Sequence, residues 1–251
     1  MYWTGAVEDR PPYLNACLET VRKNSGCHVL IVDEAQAARY IPALHPAFPK
    51  LTPNHQSDVF RLNMLYLFGG MYIDFDTIVM KSLRPLFDQL NECEFIGADW
   101  RPHRLERDEW GALGTGVMGP CHPGLRFLER CIVAQNAVLD DRYVALCDGT
   151  DYPILWGDLL SFVGATFAAH RPTARLKDGA STWFSLVGSP QWLGGDLGHA
   201  LRKATDVEEL PESELFTLAN ASIPEAYRKM SLSDILKTDT ILAELFKKAL
   251  R

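Results

Sequence analysis

Apolar positions along the chain fall into periodic runs separated by proline and glycine. After Pro11-Pro12, the residues Tyr13, Cys17, Leu18 and Val21 recur at helical spacing, and His28-Val29-Leu30-Ile31-Val32 follows as an apolar run between Gly26 and Asp33. The pattern predicts a helix and then a short buried strand. A second helix should open near Glu34 and close before Pro42, the alternation expected of a sheet covered by helices. Thr52-Pro53 has the form of an N-cap with proline at the first helical position, opening a helix that runs through Leu67 until Gly69-Gly70 stops it. Met71 to Met80 reads as one strand and Phe95-Ile96-Gly97-Ala98 as another, whereas Val117-Met118 lies in a glycine-rich stretch from Gly111 to Gly124. The helical pattern returns from Leu125 to Leu139. Residues 147–200 mix glycine, proline and aromatics without a steady period, as loops and short elements near a binding face do. From Ser231 to Arg251, Leu232, Ile235, Leu236, Ile241, Leu242, Leu245 and Phe246 form an apolar stripe opposite lysines, which fits a docked terminal helix or helix pair.

The length of 251 residues, 47% of them apolar, suits one α/β domain with a helical annex. The expected division is a main domain over residues 1–226 and a C-terminal helical segment over 227–251 packed on it. A formal charge of -7 argues against a cationic surface for nucleic acid or anionic membrane, so an anionic substrate has to be held locally. Cys17, Cys27, Cys93, Cys121, Cys131 and Cys147 form no CxxC pair and read as reduced core residues. The first residues lack the basic-then-apolar order of a signal peptide, and no apolar run approaches the roughly 20 residues of a membrane span. The expectation is a soluble cytoplasmic protein without a transmembrane segment, at most peripheral to a membrane.

Chemistry concentrates in Met71-Tyr72-Ile73-Asp74-Phe75-Asp76, where a strand's two-residue period would put Tyr72, Asp74 and Asp76 on one face. Adjacent carboxylates on an apolar strand repel each other and lose hydration, costs that a divalent cation offsets, and a pyrophosphate would complete its oxygen shell. Alone, an Asp-x-Asp is a weak signal that reads more readily as exposed acids or turn formation. In the preceding helix, Asp58 and Arg61 share one face, where the bland reading is a surface ion pair. The functional one has Arg61 meeting donor phosphate or sugar and Asp58 accepting hydrogen bonds from sugar hydroxyls. A phosphatase of the haloacid-dehalogenase type, with Asp74 as nucleophile and Asp76 as acid/base, competes but leaves Asp58, Arg61 and Gly69-Gly70 unexplained. A non-catalytic sugar-nucleotide or glycan-binding module is the alternative from another class.

The run Ser57-Asp58-x-x-Arg61-x-x-x-Leu65-x-x-x-Gly69-Gly70-x-Tyr72-x-Asp74-x-Asp76 resembles the donor-binding block of family 32 glycosyltransferases, among them capsular-polysaccharide synthesis enzymes, initiating mannosyltransferases and glucosylating toxins. The resemblance implies a GT-A (Rossmann-like, nucleotide-sugar-binding) fold and a UDP- or GDP-sugar donor. It also implies Mn²⁺ or Mg²⁺ and transfer with retention to a glycan, lipid-linked or protein acceptor. It makes Asp76 a direct metal ligand and Asp74 a contact to metal, ribose or sugar. Tyr72 and Gly70 would line the donor site, and Trp3, otherwise a core aromatic, would stack on the base. Asn220-Ala221-Ser222 resembles a late loop, with Asn220 toward metal and Ser222 toward phosphate, though Pro224 stands where the toxins carry tryptophan. Gly114-Thr115-Gly116 and Trp156-Gly157-Asp158 depart from the relatives' patterns, the latter reading as a turn. His170 and His199 read as structural or exposed.

Overall fold

A computed structural model describes residues 1–99, 113–147, 184–187, 191–192, 201–206, 213–218 and 223–251, and everything below concerns these residues. The architecture is mixed α/β. Helix α1 (Pro12–Asn24) opens with Pro12 in its first turn, where the missing N–H costs nothing. Helix α2 (Glu34–Tyr40) starts in a complete capping box: Gln36 N–H donates to Asp33 Oδ1 at 2.8 Å, and the Gln36 amide oxygen accepts from Asp33 N–H at 3.1 Å. Helix α3 (Pro53–Phe68) ends at Gly69, whose φ of 69° reverses the chain. Thr52 stands at its N-cap without capping through its side chain, because its hydroxyl pairs with His55 Nδ1 instead.

The stretch from Met71 to Met80 is two strands. Strand β1 (Tyr72–Ile73) and strand β2 (Thr77–Val79) belong to different sheets, with a turn at Phe75-Asp76 between them. After helix α4 (Arg84–Gln89) come β3 (Phe95–Asp99) and β4 (Leu113–Pro120), then helix α5 (Arg126–Cys147). Strands β5 (Phe184–Val187), β6 (Gln191–Trp192) and β7 (Leu215–Thr217) complete the sheets. One sheet has the order β1-β4-β3-β5, antiparallel except for the parallel pair β3·β5. The other is β2-β7-β6, with β2 antiparallel and β6 parallel to β7.

Two further expectations change. The glycine-rich stretch around Val117 is β4, paired on both sides, and its glycines are there for close approach. A Cβ at Gly119 would lie 2.6 Å from the Gly70 carbonyl oxygen. His28–Val32 is extended but not a buried strand. It runs parallel to the first three residues, with Met1 amine to Leu30 O, Val32 N–H to Met1 O and Trp3 N–H to Val32 O all at 3.0 Å, and it buries only Val32 fully while Leu30 is exposed.

Three apolar clusters meet at the turn. Tyr72 packs with Tyr2, Phe60, Phe95 and Phe127; Ile73 with Val79, Ile96, Val117 and Leu215; Phe75 with Tyr13, Ile78, Phe216, Leu245 and Phe246. The C-terminal stripe enters the last of these through helices α6 (Glu225–Lys229), α7 (Leu232–Ile235) and α8 (Ile241–Leu250). Burial of Leu242, Leu245 and Phe246 stabilises this docking by about 1.5–3 kcal/mol per side chain. Cys17, Cys93 and Cys131 are buried and unbridged, as the sequence suggested, but Cys27 and Cys121 are only half-buried.

Candidate functional site

The site grows from one guanidinium. Arg61, on the third turn of α3, is nearly inaccessible, with 5% of its side chain exposed, and the Asp58–Arg61 pair is interior rather than a surface ion pair. Arg61 Nη1 donates to Thr115 O at 2.6 Å, Nε to Ser57 O at 3.2 Å and Nη2 to Ser57 Oγ at 2.9 Å. Nη2 also lies 3.0 Å from Asp58 Oδ1 and 3.4 Å from Asp74 Oδ1, and Cζ stands 4.5 Å from the Tyr72 ring centroid. The planar fork thus ties α3, β4 and the acid turn together, a geometry that lysine cannot reproduce. Burial alone would lower the Arg61 pKa, but the acidic groups around it, Asp74 first, outweigh burial and raise it.

Asp58 feels the opposite balance. Burial pushes its carboxyl up, to about 8, against the pull of Arg61 and with the help of Asp74. A carboxyl that keeps its proton still accepts from Arg61. Tyr72 is also buried, and burial holds its phenol well above the ordinary range, so it donates to Asp74 Oδ1 at 2.9 Å.

Asp74 and Asp76 sit at the joint of the sheets, both half-buried. Asp74 N–H donates to Gly116 O at 2.8 Å, and Leu218 N–H donates to Asp76 O at 2.9 Å, so each acid is fastened to the chain of a different sheet. The other Asp74 oxygen, Oδ2, faces Gly116, where a Cβ would come within 2.8 Å of it. The charge of Asp76 reaches the Tyr13 phenol and the Cys17 thiol, both raised chiefly by burial. Gly70 holds φ at 81° and leads the chain into β1.

Trp3 comes to the same place. Its ring centroid is 5.4 Å from that of Phe75, the residue between the two acids, and its indole Nε1–H makes a long 3.4 Å contact to Ala6 O. Bridging the two rings is Arg10, with Cζ 4.9 Å from the Trp3 centroid and 4.5 Å from that of Phe75. Arg10 is 6% exposed, and burial lowers its pKa. The structure therefore gathers Trp3, Asp58, Arg61, Gly70, Tyr72, Asp74 and Asp76 around one turn. Asn220, Ser222, Trp156-Gly157-Asp158, His170 and His199 lie outside the described residues. Sequence reasoning missed Arg10, which stands in no recognisable motif, and Gly116. The run Gly114-Thr115-Gly116 was a signal for the latter, since glycine in a strand marks close approach.

A divalent cation fits these residues in kind. Two half-buried carboxylates are hard oxygen donors, and Asp74 keeps Oδ2 outside the bonds from Tyr72 and Arg61. Among the described residues no group of three or more His, Cys, Asp or Glu side chains is placed to hold a metal, so phosphate and water oxygens would complete the shell. Among the same residues no helix is long and apolar enough to cross a membrane.

Comparison with known proteins points to the same segment. The family described as a glycosyltransferase sugar-binding region containing DXD motif matches residues 12–94. That stretch, about a third of the chain, is similar to the family's sugar-binding region and contains Asp74-Phe75-Asp76, a sequence of the DXD form. The rat (Rattus norvegicus) lactosylceramide 4-alpha-galactosyltransferase is 44% identical over 61 residues, 24% of this chain and 17% of that protein's length. Among solved structures, apo mouse xyloside xylosyltransferase 1 aligns with a TM-score of 0.49 at 12% identity, covering 89% of this chain and 98% of its own. The galactosyltransferase LgtC, solved with donor and acceptor sugar analogues, aligns with a TM-score of 0.40 at 15% identity, covering 63% and 68% respectively.

Proposed function

We propose that the protein is a GT-A-type glycosyltransferase that moves a hexose from a nucleoside diphosphate sugar to a hydroxyl acceptor with retention of anomeric configuration. The observation that carries this reading is the fixation of Asp74 by Tyr72 and Arg61 at a turn that presents a second acid, Asp76, within the segment matching the DXD family. Asp74 and Asp76 would hold Mn²⁺ or Mg²⁺, which when bound neutralises charge developing on the departing diphosphate. Asp58, with 10% of its side chain exposed beside Arg61, hydrogen-bonds sugar hydroxyls. Because its guanidinium is enclosed by Ser57, Asp58, Thr115, Tyr72 and Asp74, we assign Arg61 a positioning role in place of a direct phosphate contact. The acceptor oxygen bonds to the anomeric carbon as the bond to phosphate oxygen breaks on the same face. The hydroxyl proton passes to the leaving phosphate, so no side chain serves as base. Synthesis of a capsule or other surface polysaccharide, in the cytoplasm or at a membrane surface, is the setting we assign. Asn220 and Ser222 complete the proposed donor loop.

The test incubates the protein with UDP- and GDP-sugars, with Mn²⁺ or a chelator, and follows donor cleavage by mass spectrometry. Metal-dependent release of nucleoside diphosphate is expected, falling by about 100-fold or more in Asp76→Asn, the scale of losing one electrostatic anchor. Full, still metal-dependent activity in Asp76→Asn would refute the assignment, and phosphate release from simple phosphomonoesters would favour phosphatase chemistry. NMR of the product's anomeric configuration decides retention.

A further inference from the structure

Arg10 has no role in the mechanism above, yet its placement is costly. The side chain is 6% exposed, Nε is buried without a hydrogen-bond partner, and Nη1 reaches one neutral acceptor, Asn15 Oδ1, at 3.2 Å. Among the described residues no carboxylate pairs with it. An aliphatic side chain would fill this space without burying a charge. What the guanidinium adds is a flat cation that contacts two aromatic rings at once, those of Trp3 and Phe75, which are inclined to each other by 60°.

The two rings have different anchors. Phe75 is fixed to the backbone between Asp74 and Asp76, whereas Trp3 is held by its backbone to Val32 and by the long contact from its indole N–H. A 3.4 Å contact restrains a ring weakly. Among the described residues the ring contacts of the indole are with Phe75 and Arg10, within the apolar cluster on which Trp3 packs. We propose that Arg10 is a positioning residue that locks the plane of the Trp3 ring to the Asp74–Asp76 turn through Phe75, and thereby sets affinity for the nucleobase end of the donor. The inference rests on the donor-site reading given above, with Trp3 stacked on the base as the resemblance implies.

The test measures binding with Mn²⁺ by calorimetry for UDP, GDP and, as a probe without a base, inorganic pyrophosphate, in the unsubstituted protein, Arg10→Gln and Arg10→Lys. Both variants should bind the preferred nucleoside diphosphate about tenfold more weakly while pyrophosphate binding changes less than about twofold. Lysine keeps the charge but not the flat face, so it should not rescue. If Arg10→Gln fails to fold, Arg10→Lys decides. In protein labelled with 5-fluorotryptophan, the Trp3 resonance, assigned through Trp3→Phe, should shift in either folded variant. Equal weakening of pyrophosphate, rescue by lysine, or unchanged nucleotide binding overturns the proposal. Failure of the unsubstituted protein to bind any of the three probes overturns the donor-site reading, and this one with it.

Discussion

Replacing Gly116 by alanine places a methyl carbon 2.8 Å from Asp74 Oδ2, where ordinary contact begins near 3.4 Å, so the carboxylate has to retreat by about 0.6 Å. It is not free to do so. Oδ1 is held by Tyr72 at 2.9 Å and faces Arg61 at 3.4 Å, and the Asp74 backbone is bonded to Gly116 itself. Moving the carboxylate forfeits one charge-assisted hydrogen bond, worth about 1.5–3 kcal/mol. At roughly 1.4 kcal/mol per tenfold, the affinity for nucleoside diphosphate with Mn²⁺ should fall about 10- to 100-fold. Global stability should drop by only about 1 kcal/mol, since Asp74 has 28% of its side chain exposed and can take up water. Gly119→Ala is the internal control. Its methyl meets the Gly70 carbonyl at 2.6 Å and Met71 Cα at 3.4 Å, backbone atoms that cannot rotate away, so stability falls by about 2–3 kcal/mol. Calorimetric binding and urea unfolding on both variants separate the effects. Unchanged affinity in a folded Gly116→Ala protein would refute the claim that this glycine exists to seat Asp74.

Arg61→Lys keeps a positive charge but cannot serve Ser57, Thr115, Asp58 and Asp74 from one plane, so urea unfolding should show a loss of about 2 kcal/mol or more; a loss below about 0.5 kcal/mol would remove Arg61 from the centre of the site. The pH prediction concerns Asp58, whose folded pKa is raised to about 8 while an unfolded aspartate titrates near 3.9. The folded state then binds the proton more tightly, so this group's contribution to stability is complete below about pH 4 and is lost as pH rises through about 8. Relative to Asp58→Asn, the unsubstituted protein should lose roughly 2 kcal/mol between about pH 6 and pH 8, and parallel unfolding profiles would show Asp58 ionised throughout.

Local chemistry was legible in the sequence where it acts alone. The helix opening near Glu34, the stop at Gly69-Gly70 and the helical period after Pro12 each depend on residues a few positions apart, and each element formed near its expected bounds. The turn was legible only in part. Tyr72, Asp74 and Asp76 do converge, but the single strand expected over Met71–Met80 breaks, because β1 finds its partner at Val117-Met118 and β2 at Leu215–Thr217. No window of local sequence contains that choice. β4 was obscured for a related reason: Gly116 and Gly119 weaken the strand signal, and the demands they meet come from Asp74 and Gly70, more than forty residues earlier. The Arg10 bridge joins residues 3, 10 and 75, a juxtaposition that no spacing rule predicts.

The splitting of the Asp74–Asp76 segment between two sheets also determines how the gap between the acids can be tuned. In a single strand their separation would follow from the chain's own repeat. Here each acid travels with its own sheet, and the sheets are held in alignment by an apolar cluster drawn from both: Ile73, Ile96 and Val117 from one, Val79 and Leu215 from the other. These side chains carry no polar atom, yet they join the two sheets to which the carboxylates are fastened. A change of one methyl group at Val79 or Leu215 would alter the packing between the sheets that carry Asp74 and Asp76 while every residue around the acid turn stays the same.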